Sequence, residues 1–451
     1  MTTTDANEFA RRRRRLMQMM GAGAIAILAA APERVRNRDV DYPYRPDSDF
    51  FYLTGFPEPE AVAVLVPGRR EAQYVIFCRE RDPDAEIWHG RRAGLAGARD
   101  RYGADDAFPI TDIDDILPGL MENRDRVYYA MGRLEEFDRN VMGWLNQVRN
   151  RARGGVQAPA KFVALDQVVH EMRLIKSRHE ITLMRRAAEI SAAAHRRAMT
   201  ACAPGMTEYQ IEAELLHAFM SAGARSPAYP SIVGGGENGC ILHYTENDAT
   251  LNDGDLLLID AGAEYGCYAA DITRTFPVNG RFSPEQRALY DVVLAAQRAA
   301  IDKVRPGCHW NAPHDAAVKA LTRGLVKLGI LKGQPAKLIK DEAYRRFYMH
   351  RTGHWLGMDV HDVGEYKVDG RWRLFEPGMV LTVEPGLYIP SGSKGVARKW
   401  WNIGIRIEDD VLVTADGPQV LTGGVPKEAE EIEALMAGTG GGPARRKRAA
   451  S

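Results

Sequence analysis

The sequence predicts two domains of different class, an N-terminal α/β domain over residues 1–173 and an α+β domain over residues 174–437. Three observations carry this. A chain of 451 residues is longer than one ordinary core serves. Its first part alternates short apolar runs with helical stretches. Its second part mixes helices with strands bounded by Gly and Asp, the pattern of helices laid against a largely antiparallel sheet.

Taken in order, the elements begin with an amphipathic helix from Glu8 to Met20 and a buried strand, Ala24-Ile-Ala-Ile-Leu-Ala-Ala. Arg11 to Arg15 followed by Leu16–Ala31 imitates a secretory signal, with a basic run, an apolar stretch and small residues. Gly21 and Gly23 interrupt that stretch, and it runs into the polar turn Pro32-Glu33, so the structural reading is preferred. Ala61-Val-Ala-Val-Leu-Val, Gln73-Tyr-Val-Ile-Phe-Cys and Asp125-Arg-Val-Tyr-Tyr-Ala read as further strands, the last followed by a helix through Trp144 and Val148. Arg149 to Gly155 is a basic connection, and the polar stretch Met172–Glu180 leads into a long helix from Ile181 to Met199. Beyond it stand helices over Glu208–Ala222, Pro284–Val304 and Asp315–Leu328. Strands are expected over Asp255–Ala261, Ala269–Phe276, Met379–Tyr388 and Ile403–Val413. Residues 438–451, Gly-rich and carrying Arg-Arg-Lys-Arg, are expected to form a disordered basic tail.

Charge narrows the function classes. Lys+Arg and Asp+Glu total 60 each, so no global field favours nucleic acid or an acidic membrane, and neither is expected as a partner. No apolar run reaches the length needed to span a bilayer. Cys78, Cys202, Cys240, Cys267 and Cys308 form no CxxC pair, which fits reduced thiols in a cytoplasmic protein.

The chemistry gathers in the second domain. Leu256-Leu-Leu-Ile-Asp260-Ala-Gly is followed closely by Tyr268-Ala-Ala-Asp271-Ile-Thr-Arg-Thr. If the chain reverses at Tyr265-Gly266, Asp260 and Asp271 become cross-strand neighbours, and two carboxylates that close repel unless a cation stands between them. The plainer alternative is a solvent-facing pair of hairpin aspartates, but Asp260 follows four apolar residues and should be buried. Glu384 ends the strand Met379-Val-Leu-Thr-Val, and Glu408 ends Ile403-Gly-Ile-Arg-Ile, with Arg406 on the same face. Three of the eleven histidines crowd into His350-Arg-Thr-Gly-His354-Trp-Leu-Gly-Met-Asp-Val-His361. His170, His179, His195, His217, His309 and His314 read as packed or surface residues. One imidazole and four carboxylates make a hard, oxygen-rich donor set that suits Mn²⁺, with Zn²⁺, Co²⁺ or Fe²⁺ as alternatives. Five ligands exceed what one small ion needs, so two bridged ions are expected.

Five of these segments, Ile259-Asp-Ala-Gly, Asp271-Ile-Thr-Arg-Thr-Phe, the His350–His361 run, Thr382-Val-Glu384-Pro-Gly-Leu-Tyr and Gly404-Ile-Arg-Ile-Glu408-Asp, resemble the aminopeptidase P branch of the pita-bread metallopeptidases. Tyr42-Pro-Tyr-Arg, Asp49-Phe-Phe-Tyr-Leu-Thr-Gly-Phe and Glu86-Ile-Trp-His-Gly-Arg-Arg extend the likeness into the first domain. The resemblance implies a curved, largely antiparallel sheet of pita-bread type and hydrolysis of an N-terminal Xaa-Pro bond by a hydroxide bridging two divalent metals. It implies that Asp260 chelates one metal, that Asp271 and Glu408 bridge both, and that His354 and Glu384 complete the other. Glu384 would also shuttle the water's proton, and His361 would stabilise the oxyanion. His243 and His350, counted as catalytic, would line the pocket around the proline ring. Tyr388 and Arg406 would order the polar shell, Arg406 with a catalytic role and Tyr388 beside the substrate. Arg153 would reach the mouth of the site, and Trp88 and Asp39 would be lent to a neighbouring subunit of a homotetramer, the first domain serving oligomerisation and the active-site rim. Peptides with proline second would be the partners. Proline's nitrogen bears no hydrogen, so such a site must recognise ring shape rather than a backbone donor. Arg351 stands where many relatives have glycine, and Ser391–Trp401 is individual to this chain; both bear on peptide preference rather than on the ligands.

Rival readings are an Xaa-Pro dipeptidase with the same metal centre, a peptide-binding protein without catalysis, and an NAD-binding oxidoreductase. The last rests on Gly234-Gly-Gly236-Glu-Asn-Gly239, which fits GxGxxG. That motif needs a helix directly after the glycines, whereas Cys240-Ile-Leu-His-Tyr reads as a strand. An intact set of five ligands argues against the non-catalytic reading, and the first-domain motifs favour an aminopeptidase over a dipeptidase.

Overall fold

The computed structural model describes residues 3–438. The chain divides into two compact units, with the division at Arg173/Leu174. Of the expected tail only Gly438 is described, closing a helix over Ala429–Ala437, and the rest lies outside the described residues.

The first unit is an α/β layer structure around a six-stranded mixed sheet, in the order Asp106–Pro109, Tyr74–Cys78, Val62–Leu65, Ala24–Ala29, Arg126–Tyr129, Lys161–Ala164. Ala24–Ala29 lies at its centre, parallel to Arg126–Tyr129 and antiparallel to Val62–Leu65. Its unbroken apolar character follows from being covered on both faces. The basic run ahead of it belongs to a helix over Thr3–Met20, which starts earlier than expected. Arg12 and Arg13 are buried there, their guanidinium carbons 4.0 and 3.9 Å from the ring centroids of Tyr52 and Tyr74.

The second unit packs helices against short sheets in which every named pairing is antiparallel. Its longest helix, Arg178–Ala201, begins three residues before the expected start because Ser177 and Glu180 form a reciprocal capping box. Helices Glu208–Ser221, Pro284–Ile301 and Ala312–Lys327 complete the layer around the core. Among the described residues, no helix is long and apolar enough to cross a membrane.

Three strands expected to be continuous are broken, and the breaks form the site. The first, Ala269–Phe276, is replaced by two segments with Asp271 in the gap between them. Tyr268–Ala269 belongs to a small hairpin, while Thr273–Pro277 joins the ladder of Leu256–Asp260. Met379–Tyr388 splits into Val380–Val383 and Gly386–Ile389, and Ile403–Val413 into Ile403–Arg406 and Asp409–Thr414. Val383 pairs with Asp409 in one sheet and Gly386 with Arg406 in another. Glu384-Pro385 and Ile407-Glu408 therefore face each other across a seam between two sheets. Pro385 has no N–H to give a continuous ladder, which accounts for one side of that seam.

Two further expectations are corrected. Asp260 does not face Asp271: its ladder partner is Thr273, and the chain turns at Gly266-Cys267, both with positive φ, inside a separate small hairpin. The glycine-rich run leads into a five-residue 3₁₀ turn, Gly236–Cys240, and Ile241–Tyr244 forms no strand. Five residues of 3₁₀ turn provide no helix N-terminus of the kind a dinucleotide needs.

Candidate active site

The strand Leu256–Asp260 carries four buried apolar residues into the core, and Asp260 ends it at 9% exposure. Asp271 follows in the adjoining gap, buried, its backbone N–H donating to Asp410 Oδ2 at 3.1 Å. Gly262 is required between them, since a Cβ there would collide with the Ala270 carbonyl. Tyr229 joins the two aspartates: its hydroxyl lies 2.7 Å from Asp260 Oδ1 and 2.5 Å from Asp271 Oδ1.

The histidine cluster reaches the same place by pairing with the seam. Thr382 N donates to His354 O at 2.9 Å and Glu384 N donates to Thr352 O at 2.8 Å. This sets His354 beside Glu384. Gly353 permits the approach, because any side chain there would meet the Thr382 carbonyl. His354 Nδ1 lies 2.9 Å from the Trp355 carbonyl, which can only accept, so Nδ1 carries a proton and Nε2 is the nitrogen that faces the acids. Without a cation, burial is outweighed by Asp271 and Glu384, which raise the ring's pKa to about 9, so Nε2 is then protonated as well. That Nε2 lies 3.4 Å from Asp271 Oδ2 and 3.8 Å from Glu384 Oε1. Glu408 arrives from the other side of the seam, its N–H bonded to Thr273 O and its Oε2 accepting from Thr273 Oγ1 at 2.6 Å. Asp271, His354 and Glu408 each offer a ligand atom, and these atoms lie within 4.8 Å of one another.

Arg406 orders the shell. Fully enclosed, it donates to Asp260 Oδ2 at 2.6 Å, to Thr273 Oγ1 at 3.0 Å and to the Tyr388 hydroxyl at 3.1 Å. Tyr388 in turn lies 2.9 Å from His350 Nε2, while His350 Nδ1 lies 2.7 Å from the Arg351 carbonyl. His350 must therefore donate through Nδ1 and accept through Nε2. Burial, with Arg406 nearby, holds its pKa down at about 3, so the ring is neutral.

The electrostatics favour a cation. Burial, reinforced by Asp271, Glu384 and Asp260, lifts the Glu408 carboxyl well above its usual range. Burial lifts Glu384 and Asp260 as well, against the pull of His354 and Arg406 respectively. Burial also acts on Asp271, but the hydrogen bond and charge of His354 outweigh it and hold the group low. Asp410 Oδ1 is buried without a hydrogen-bond partner directly behind this group. Carboxylates packed so closely, with a histidine nitrogen aimed among them, fit a divalent metal. They also form the floor of a cavity of about 850 Å³ whose wall includes His243, His350 and His361.

All five expected ligands and His243, His350, His361 and Arg406 thus line one cavity, with Tyr388 directly behind His350. Asp39, Trp88 and Arg153 belong to the first unit, where all three are exposed, Trp88 at 83%. Tyr229 and Thr273 were not singled out from the sequence. Tyr229 stands alone between Pro227-Ala and Pro230, and only the tertiary approach gives it two carboxylates. His195 and His314 keep packing roles, His195 on the Ala261 carbonyl at 2.9 Å and His314 on Thr352 Oγ1 at 2.9 Å.

Comparison with known proteins bears on this geometry. Residues 182–415 match the model of metallopeptidase family M24, and residues 9–128 match that of the aminopeptidase P N-terminal domain. The chain is similar to the Xaa-Pro aminopeptidase of Escherichia coli strain K12, at 50% identity over 97% of this chain and 99% of that one. Among solved structures, Pseudomonas aeruginosa aminopeptidase PepP superposes with a TM-score of 0.95 at 62% identity, covering 96% of this chain and 98% of that one. A variant of Escherichia coli aminopeptidase P in complex with substrate gives 0.93 at 50% identity, with coverage of 96% and 98%.

Proposed function

The chain belongs to metallopeptidase family M24 and has the two-domain aminopeptidase P fold, and on that footing we propose that it removes the N-terminal residue from peptides whose second residue is proline. The observation that carries the proposal is the convergence of Asp260, Asp271, His354, Glu384 and Glu408 on the floor of one histidine-walled cavity. These five would hold two divalent ions, Mn²⁺ by the hardness of the donor set, with Asp271 and Glu408 shared between them. Metal bound there supplies Lewis acidity, which brings a water's pKa near neutrality and polarises the carbonyl.

The chain's own groups supply the remainder. Glu384, at the mouth of the seam, takes the proton from the attacking water and delivers it to the departing proline nitrogen. His361, on the cavity wall, donates a ring N–H to the oxygen that gains negative charge. His350 has both nitrogens engaged, so it offers the substrate an apolar ring face, a surface suited to proline. His243 lines the same pocket. Arg406 and Tyr388 hold Asp260 and His350 in place.

Residues 1–173 would serve oligomerisation and the active-site rim, and 174–437 catalysis. A homotetramer is supported by the paired exposed side chains Ile87 and Trp88, at 77% and 83%, with Asp39 and Arg153 also available at the surface. Five free cysteines support a reducing compartment, the cytoplasm. The test is metal analysis of purified protein together with cleavage of Xaa-Pro peptides before and after chelation. Release of the first residue from tripeptides and longer chains, lost with the metal and restored by it, is expected. Cleavage confined to dipeptides would make the protein an Xaa-Pro dipeptidase instead.

A further inference from the structure

The rim of the cavity carries cations that the chemistry above does not use. Arg351 and Trp372 both line the cavity. The Arg351 guanidinium carbon lies 5.5 Å from the centroid of the Trp372 ring, and Lys367 Nζ lies 4.3 Å from the same centroid. Lys367 is the direct cross-strand partner of Trp372 in a two-stranded hairpin. The hairpin turns through Asp369 and Gly370, both with positive φ, the conformation a tight two-residue turn demands. Arg351 is anchored from below by Asn311, whose own amide donates to Asp315 at 2.8 Å. Two cations are therefore held at one aromatic ring by a rigid turn and an asparagine. Among the described residues, no carboxylate forms an ion pair with either.

We propose that Arg351, Lys367 and Trp372 form a subsite for a carboxylate of the bound peptide, downstream of the proline. This rests on the reading of the protein as an Xaa-Pro aminopeptidase. The first peptide bond is the one cut, so one residue lies inward of the cage and the remaining chain must leave toward the rim. There it meets two unpaired positive charges over an aromatic face. A guanidinium and an ammonium together take a carboxylate, and the Trp372 ring keeps both in position while giving the peptide an apolar wall. The carboxylate has two sources, an acidic side chain or the C-terminus of a short peptide.

The test uses the metal-loaded enzyme and matched peptides. Ala-Pro-Glu-amide against Ala-Pro-Gln-amide isolates a side-chain carboxylate, and Ala-Pro-Ala against its C-terminal amide isolates a chain terminus. In at least one pair the carboxylate member is expected to show a KM about fivefold lower, kcat unchanged, as solvent-exposed pairs of this kind allow. The gap should close in about 0.5 M salt, where the screening length is only a few ångströms. In the double variant Arg351→Gln, Lys367→Gln the gap should vanish while turnover of the neutral peptides persists. Equal KM values within both pairs, or a gap that survives in the double variant, would overturn the subsite. If no Xaa-Pro peptide is cut, the parent reading fails by itself. Calorimetric affinities of the same pairs then decide the subsite, and equal affinities refute it.

Discussion

Lys176 Nζ and Asp362 Oδ2 meet at 2.9 Å, and both side chains are sealed from solvent. The pair ties the segment ahead of the long helix to the residue directly after His361. Lys176 is fixed further by its N–H to the Gly378 carbonyl, and Asp362 by its N–H to the Trp355 carbonyl. Removing Lys176 takes a buried counter-ion from Asp362, and breaking a buried pair costs about 3–5 kcal/mol. Lys176→Met should therefore unfold at markedly lower denaturant and lower kcat/KM through displacement of His361. Lys176→Met with Asp362→Leu should regain part of the stability, because the buried acid is removed together with this counter-ion. A single variant as stable as the parent would show that the pair is not what holds the loop.

Arg406 makes a second expectation. Its three donors point to three different acceptors, Asp260, Thr273 and Tyr388, and a single ammonium cannot reproduce that fork. Arg406→Lys should weaken metal binding about 10- to 100-fold, the usual cost of disturbing groups that orient a ligand. Metal retained after dialysis against graded chelator measures this. Unchanged retention would mean that its strand and Tyr229 position Asp260 without Arg406.

These relationships were only partly legible in the sequence. The apolar run before Asp260 and the His350–His361 cluster announced themselves by composition and spacing. The seam did not, because Val380–Val383 and Gly386–Ile389 are both apolar and read as one strand. Only Pro385 hinted that the ladder breaks there. Asp260 and Asp271 were expected to face each other, but a break at Ala270–Ile272 shifts the register and leaves Thr273 opposite Asp260. Tyr229 had no signal, since its role depends on two strands meeting it in space.

Chelation should alter stability as well as activity, with a definite pH trend. Without a cation, Glu384 and Glu408 are held above their ordinary carboxylate values by burial, Glu384 at about 7. The folded state then keeps protons that the unfolded chain releases near pH ~4.3. Stability of the chelated protein should fall as pH rises from about 4.3 through 7. Divalent metal should reverse the loss, by about 2.7 kcal/mol at a hundredfold excess over Kd. Melting temperatures with and without chelator across this range check it, and parallel curves would argue against a cation among these acids.

His195 gives a pH effect of the opposite sense, remote from substrate. It is fully buried in the helix Arg178–Ala201, and its Nε2 donates to the carbonyl of Ala261, the residue after Asp260. Its Nδ1 has no partner. Burial, with Arg274 adding to it against the Ala261 hydrogen bond, lowers its pKa to about 4. Unfolded, the same ring titrates near its ordinary value of ~6.5. Between those two values the unfolded chain binds a proton that the folded chain refuses, so stability falls as pH drops from about 6.5 to about 4, by roughly 3 kcal/mol in all. His195→Gln can keep a donor to Ala261 but cannot take the proton. Denaturant unfolding of the metal-loaded parent and variant across this window should show the variant's dependence flattened by about that amount. Superimposable pH profiles would mean that His195 accepts its proton without unfolding.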